Sequence, residues 1–330
     1  MGSIELVCPA GAPPMLHAAI EAGADSVYCG LRDETNARNF PGLNFSPAEL
    51  AQGVAFAHER QVKVLVAINT FARAGGDETW RRSIDAAVVA GADAVIVADI
   101  GVLAYAKQAY PDLRLHLSVQ AAANSLDAIR FYAESFGVRR VVLPRVMSAP
   151  EIAVLAQQTS VELEAFVFGG LCVMAEGRCA LSSYATGRSP NLSGVCSPPE
   201  AVSFETNALG LTPRLAGVAI DRLAAGENAG YPTLCKGRFE AMGEASYLFE
   251  DPVSLNAMSV LKDLRAAGVK AIKVEGRQRG KTYVRRVAAA FRGAIDALDT
   301  GQDCDPFARL LSDLAEGGRE TEGAYRRKWR

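Results

Sequence analysis

Short apolar runs rich in β-branched residues alternate with amphipathic stretches along most of the chain. The runs are Ile4–Cys8, Ser26–Gly30, Lys63–Asn69, Ala94–Asp99, Arg114–Gln120, Arg140–Pro144, Glu162–Phe168 and Ala271–Glu275. Between most of them lies a helix-period stretch, such as Pro47–Arg60 and Trp80–Ala90, and Gly23, Gly91, Gly137 and Gly268 stand where helices should stop before the next strand. Near-continuous apolar strands separated by helices indicate a parallel sheet. Eight such units predict an α/β fold of the (β/α)8 barrel type. A weak echo, Gly23-Ala-Asp-Ser-Val-Tyr against Gly91-Ala-Asp-Ala-Val-Ile, fits repeated turn chemistry as well as ancestry.

The spacing breaks once. After the seventh run, a Gly-, Ser-, Pro- and Asn-rich segment holds four of the seven cysteines, and the eighth run follows only after the helix expected over Leu255–Ala267. The predicted organisation is a barrel over 1–168 and 255–300, a cysteine-bearing insertion over 169–254 after strand seven, and a tail over 301–330. Loops that follow barrel strands lie on the catalytic face, so the insertion should cover the mouth. The tail ends in the basic Tyr325-Arg-Arg-Lys-Trp-Arg, read as a docking end or a solvated one.

Composition narrows the class. With 49% hydrophobic and 22% charged residues the chain has an ordinary globular balance, and a formal net charge of −2 gives no broad attraction for nucleic acid or acidic lipid. No run reaches the roughly 18 uncharged apolar residues that cross a bilayer, and no signal-like start is visible. The expectation is a cytoplasmic protein, not integral to a membrane, with no nucleic-acid partner. In a reducing compartment, clustered cysteines are ligands or catalysts rather than a disulfide framework. Cys8 and Cys29 fall in apolar runs and read as core, and Cys304 has no assigned role.

The remaining four are spaced Cys172-x6-Cys179-x16-Cys196-x38-Cys235, with Gly169, Gly170, Gly177, Gly194 and Gly237 beside them. Glycine lets backbone approach an inorganic centre closely. Four thiolates suit an iron–sulfur cubane or a zinc site, and spacing alone leaves both open, along with unrelated buried thiols. Polar residues at strand ends, Asn69, Asp99, Gln120, Arg145 and Glu275, are candidates for catalysis at a barrel mouth, although Asn69 and Asp99 are also good helix caps. Lys273 and Glu275 share a strand face and should point inward as a pair. Arg38 and Arg277, with Arg145 as a rival, are candidate carboxylate clamps. His17 and His58 read as structural, whereas His116 is a weak proton-transfer candidate inside the barrel. No HExxH, GxSxG or Cys–His arrangement supports peptide hydrolysis.

Glu164-Ala-Phe-Val-Phe-Gly-Gly-Leu-Cys172 and Met174-Ala-Glu-Gly-Arg-Cys179-Ala-Leu-Ser182 resemble the signature of the collagenase-like peptidase family, with Gly170 where members commonly have Ser or Ala. Further blocks extend the resemblance along nearly the whole chain: Gly30-Leu-Arg-Asp-Glu-Thr-Asn-Ala-Arg-Asn-Phe40, Ser118-Val-Gln-Ala121, Glu227-Asn-Ala-Gly-Tyr-Pro-Thr-Leu-Cys-Lys-Gly-Arg238 and Lys273-Val-Glu-Gly-Arg-Gln-Arg279. They are similar to the branch of that family that serves ubiquinone biosynthesis without oxygen. The resemblance implies one [4Fe–4S] cluster on Cys172, Cys179, Cys196 and Cys235. It also implies a heterodimer with a shorter, UbiV-like paralogous iron–sulfur protein and a lipid-binding accessory protein. The implied activity is oxygen-independent hydroxylation of the aromatic ring of a ubiquinone precursor, with a small organic hydroxyl donor, prephenate being the leading choice. Hydroxylation of RNA bases, as by other members, and a non-catalytic electron-transfer or scaffold role are the alternatives.

Overall fold

All eight expected strands form, and they close. In the computed structural model, which describes residues 3–193, 195–208 and 210–326, the first seven are β1 (Glu5–Pro9), β2 (Ser26–Gly30), β3 (Lys63–Ile68), β4 (Ala94–Val97), β5 (Arg114–Leu117), β6 (Arg140–Val142) and β7 (Glu162–Gly170). Between them run α1 (Pro13–Glu21), α2 (Pro47–His58), α3 (Glu78–Val89), α4 (Ile100–Ala109), α5 (Leu126–Phe136) and α6 (Ala149–Gln158). Beyond β7 come α7 (Leu181–Thr186), α8 (Pro190–Ser193), β8 (Val202–Asn207), β9 (Gly210–Leu215), β10 (Val218–Ala219), β11 (Arg238–Ala241) and β12 (Glu244–Tyr247). The chain then returns through β13 (Ser254–Asn256), α9 (Leu261–Ala266), β14 (Ala271–Val274) and α10 (Lys281–Asp299). Strands pair in the order β14-β1-β2-β3-β4-β5-β6-β7, and β7 pairs with β14 in parallel to close the barrel.

Local chemistry sets the boundaries. Ser46 and Ser148 each form a reciprocal cap with a glutamate three residues on, Glu49 and Glu151. The four expected helix-stop glycines all have positive φ, between 72° and 95°. The helix expected over Leu255–Ala267 is shorter, because Ser254–Asn256 instead pairs antiparallel with the end of β7, which runs on to Gly170. Between β7 and β13 the chain builds a three-stranded sheet, β10-β9-β8, and the hairpin β11–β12. The tail folds back further than a solvated end would: a two-residue strand, β15 (Glu320–Thr321), pairs with β13, and buried Tyr325 donates its hydroxyl to the carbonyl of Phe166 at 2.6 Å. The expected basic end at 327–330 and the expected glycine at 194 lie outside the described residues.

Alternate residues of each strand face helices or the barrel interior. Cys8, Cys29, Val64, Val97 and Leu117 belong to the large core under the helices, and Val7, Tyr28, Leu65, Ala94, Ile96 and Ala271 form a separate small cluster. The lower interior is ionic. Arg140 reaches Glu5 at 2.6 Å, Glu162 at 2.7 Å and Glu164 at 3.2 Å. Lys273 meets Glu164 at 2.7 Å and Arg114 meets Glu162 at 2.7 Å. The three cations balance the three carboxylates. Burial alone would raise Glu5, but its contacts with Arg140 hold it below the usual carboxylate range, and Arg114 and Arg140 do the same for the part-buried Glu162. Lys273 also sits 3.8 Å from the ring centre of Tyr28, whose hydroxyl donates to the carbonyl of Val274 at 2.9 Å.

His116 points into this layer, as its alternation with Leu115 and Leu117 suggested, but lies low in the barrel on β5. Its Nε2 accepts from Arg114 Nε at 3.0 Å and its Nδ1 has no partner among the described residues. Burial above all, with Arg140 and Arg114 beside it, drives the imidazole well below its ordinary range, so it is neutral. His17 stacks on Phe56 and His58 pairs with Asp93 at 2.9 Å, both structural roles.

A pH dependence follows. The unfolded chain protonates position 116 near pH 6.5 while the folded chain does not, so stability falls as pH drops below about 6.5, by at most about 1.4 kcal/mol per pH unit. Glu5 and Glu162 add a second loss at more acid pH, as their lowered folded values are crossed. Urea unfolding from pH 7.5 to 4 should show both limbs, and His116→Gln should remove the first. An unchanged first limb in that variant would mean that another group controls it.

Candidate active site at the barrel mouth

The C-terminal strand ends carry most of the predicted polar residues, and the structure brings them together. The loop after β2 supplies Asn36 and Arg38. Arg277, after β14, is 5% exposed and donates to Asn36 Oδ1 at 3.2 Å. Among the described residues no carboxylate lies within ion-pair distance of Arg277, and burial pulls its guanidinium below its ordinary range. Arg38 lies 3.6 Å from Glu275, whose other oxygen accepts the amide of Gly170 at 3.2 Å. Burial would raise Glu275, but Arg38 and Arg145 outweigh it, so the carboxyl stays ionised. Lys273 and Glu275 both face inward, as expected, but do not pair: Lys273 goes down to Glu164 and Glu275 goes up to Arg38. The register of β7 decides this, because it places Glu164 within reach of Lys273.

Asp99 is a helix cap. Its Oδ1 accepts the amide of Val102 at 3.0 Å at the start of α4, and its Oδ2 accepts that of Ala72. Asn69 does not cap: it accepts the Ala37 amide at 2.9 Å and donates to Ser118 at 3.3 Å, fixing the β2 loop against β5. Gln120 lies in a single 3-10 turn after β5, with its side-chain oxygen buried and unpartnered among the described residues. Arg145 is buried, stacks 3.5 Å from the ring centre of Phe166, and pairs with Glu176. Burial opposes its charge, and Glu176, Glu275 and Cys172 favour it. Burial raises the Glu176 carboxyl, and Arg145 opposes that shift.

The cysteine loop is pinned to the mouth. Cys172 follows β7 directly, and Gly169, at φ 115°, lies where a Cβ would sit 2.5 Å from the carbonyl of Glu275. Gly177, at φ 78°, would place a Cβ 1.8 Å from the carbonyl of Gln120. Further along, Ser197 donates to the carbonyl of Pro232 at 2.6 Å and Tyr231 to that of Ser197 at 3.0 Å, joining the Cys196 and Cys235 segments. Lys236 anchors the latter through Glu316 at 3.1 Å.

All four thiols are free. They lie within one another's electric field. Burial and then Glu176 push Cys172 up, with Cys196 and Cys235 adding to the shift; burial and then Cys196 push Cys235 up to about 11. Burial likewise raises Cys196, with Arg38 opposing and Cys179 adding, although solvent still reaches its side chain. Among the described residues no three Cys, His, Asp or Glu side chains stand in metal-ligand geometry. The donor set nevertheless fits a soft centre: four thiols without disulfides, beside the guanidiniums of Arg38 and Arg145 that would offset thiolate charge.

Glu176 and Asn36 were not singled out from sequence, though both lie in the quoted blocks. Their signal was position: an acid midway between two cysteines, and an amide two residues before a candidate clamp.

The sequence model of peptidase family U32 matches residues 11–326. A tRNA hydroxylation protein P of Escherichia coli is 32% identical over 98% of this chain and 74% of its own length. Its Haemophilus influenzae counterpart is 31% identical over the same shares. Among solved structures, the U32 peptidase Mk0906 is 20% identical over 51% of this chain and 70% of its own, with a TM-score of 0.43. A likeness at that level says nothing of activity.

Gly177→Ala tests the pinning of the loop. The methyl collides with the Gln120 carbonyl at a left-handed backbone position, so the loop must lift. Without metal, thiol-reagent labelling of Cys172 and Cys179 should accelerate at least about fivefold, since a local opening about 1 kcal/mol cheaper raises the open fraction by that factor. Labelling at the wild-type rate would show that the contact does not hold the loop.

Proposed function

The chain belongs to peptidase family U32, and on that footing we propose that it is the iron–sulfur subunit of an oxygen-independent hydroxylase acting on the aromatic ring of a ubiquinone precursor. The observation that carries the reading is the buried Arg277, without a carboxylate partner among the described residues, at the same mouth as four free cysteines. A buried cation without a counter-ion is costly unless an anion arrives. A small carboxylate donor, prephenate being the leading choice, supplies that anion.

Replacing a ring hydrogen by a hydroxyl drawn from an organic donor breaks the donor C–O bond and the ring C–H bond. The donor oxygen arrives at the hydroxide level, so two electrons and one proton must leave the ring. Cys172, Cys179, Cys196 and Cys235 would hold a [4Fe–4S] cluster, which when bound supplies one-electron redox chemistry. The protein's own residues do the rest. Arg277 and Arg38 bind the donor carboxylates, Asn36 and Asn69 fix the loop that carries Arg38, ionised Glu275 holds Arg38 through Oε1, and the ring proton leaves to solvent. Arg145 and Glu176 tie the cysteine loop to the barrel and exclude water beneath it. A UbiV-like paralogue with its own cluster would take the second electron, an external electron carrier would reoxidise both clusters, and a lipid-binding accessory protein would deliver a substrate with an apolar tail. The sequence blocks resemble the UbiU-type branch of the family, which supports the ring substrate. The tRNA hydroxylation proteins among the relatives favour a second reading, an RNA base as acceptor.

Anaerobic purification should yield about four irons and four sulfides per chain, with loss of both after Cys→Ala at any of the four positions. Arg277→Leu should keep the iron and raise the donor KM roughly 30-fold, about 2 kcal/mol for a lost charged contact. One zinc and no sulfide would sink the redox reading. In a strain lacking the chain and grown without oxygen, unhydroxylated quinone precursors should accumulate while transfer RNA stays hydroxylated; the reverse pattern assigns the acceptor to RNA.

A further inference from the structure

Beside the mouth, between the ends of β4 and β5 and the cysteine loop, lies an open cleft of about 350 Å3. It is lined by Phe71, Ile100, Gln120, Tyr132, Gly177 and Arg178 among others. Phe71 and Tyr132 are half-buried walls, and Ile100, at the start of α4, is 50% exposed. The apolar surface continues outward: Phe131, also 50% exposed, meets Tyr132 edge-on at 5.5 Å. Two large exposed apolar side chains flanking one cleft form a path that water does not favour.

The polar end has a different character. The Gln120 side-chain oxygen is buried without a hydrogen-bond partner among the described residues, and such an acceptor needs an explanation. Its last torsion is soft, so a small turn presents that oxygen to a hydroxyl in the cleft. The next residue but one, Ala122, holds a left-handed conformation at φ 51°, a strain that keeps this turn in place. The cleft carries no net charge. Its lining holds one acid, Asp99, and one base, Arg178, and Asp99 already occupies the positive end of α4 that opens towards it.

We infer that this cleft seats an uncharged phenolic ring bearing an apolar tail. The ring lies against Phe71 and Tyr132, its hydroxyl donates to Gln120, and the tail leaves over Ile100 and Phe131. Gly177 and Arg178, the two residues before Cys179, form the opposite wall. The seat deepens the hydroxylase reading and rests on it only for the fate of the ring, because binding is measured without turnover.

The probe is 4-fluorophenol, followed by fluorine NMR relaxation with the full chain purified without oxygen. It should bind, and 4-fluoroanisole, which cannot donate, should bind about tenfold more weakly. 4-Alkylphenols from ethyl to pentyl should displace it with potency rising about twofold per methylene, as expected for a tail half-buried on a surface. Ile100→Glu, at an exposed position, should abolish binding while circular dichroism and iron content stay at wild-type levels. Phe131→Ser should keep ring binding and flatten the chain-length series. Absence of binding, unchanged binding in Ile100→Glu, or stronger displacement by uridine 5′-monophosphate than by phenols would overturn the seat. Binding with these dependences in a chain that fails to hydroxylate leaves the seat standing and removes the hydroxylase reading.

Discussion

Six charges in the floor of the barrel set the terms for everything above them. Arg114, Arg140 and Lys273 face Glu5, Glu162 and Glu164 within 2.6 to 3.2 Å, with Arg140 and Glu164 almost wholly buried. Barrels of this kind commonly fill that space with layers of branched apolar side chains. Here the layer is neutral as a whole but intolerant of partial loss, since removing one partner of a buried pair costs about 3–5 kcal/mol. A slip of one residue in any of the contributing strands would turn a charge towards the helices and strand its partners. The ionic layer therefore selects one register, and it does so at the seam, where Lys273 of β14 meets Glu164 of β7.

The seam transmits that choice to the mouth. Just above Lys273 the pairing of β14 with β7 shifts by one residue, so that Val274 faces Phe168. A bulge of this kind re-aims the side chains that follow it. Phe168 turns outward to pack on Tyr283 and Phe291 of α10, and Gly169 takes a conformation open only to glycine, against the carbonyl of Glu275. Three residues later the chain delivers Cys172. The position of the first cysteine thus follows from an ion pair in the layer below, and Tyr28, with Lys273 at one ring contact and Arg277 at 5.5 Å, divides the closed floor from the open mouth.

Much of this was legible. Near-continuous apolar runs marked the strands because a buried parallel strand has few polar positions, and the helix-stop glycines marked turns because only a left-handed residue fits there. The collected strand ends Asn69, Gln120, Arg145 and Glu275 do line one mouth. Less visible was anything set by a neighbouring strand. Lys273 and Glu275 share a face, yet their partners were fixed by β7 and by the β2 loop, which no reading of β14 alone contains. The ionic floor was hidden for a related reason: Glu5, Arg114, Arg140, Glu162 and Glu164 each looked like an isolated polar residue in an apolar run. The segment between β7 and β13 resisted because its strands are short and largely exposed, so no burial pattern marks them.

Charge offers the last instance of whole-chain and local evidence diverging. A formal net charge of −2 says little about attraction for a large polyanion when the groups that matter are few and placed. At the mouth, Arg38, Arg145 and Arg277 outnumber Glu176 and Glu275 by one, and Arg277 has no acid within ion-pair distance among the described residues. The positive field is narrow and lies beside the cysteines, a form suited to one small anion held at close range rather than to a row of phosphates. Four bound thiolates would reverse the local sign, so a cluster and an anionic donor compete for the same guanidiniums. Arg38, which touches the fields of both Glu275 and Cys196, is where that competition is strongest. Arg277 is buried, held by Asn36 and 5.5 Å from the ring centre of Tyr28. On the proposed reading Arg38 would serve both the donor and the centre, and Arg277 would serve the donor alone.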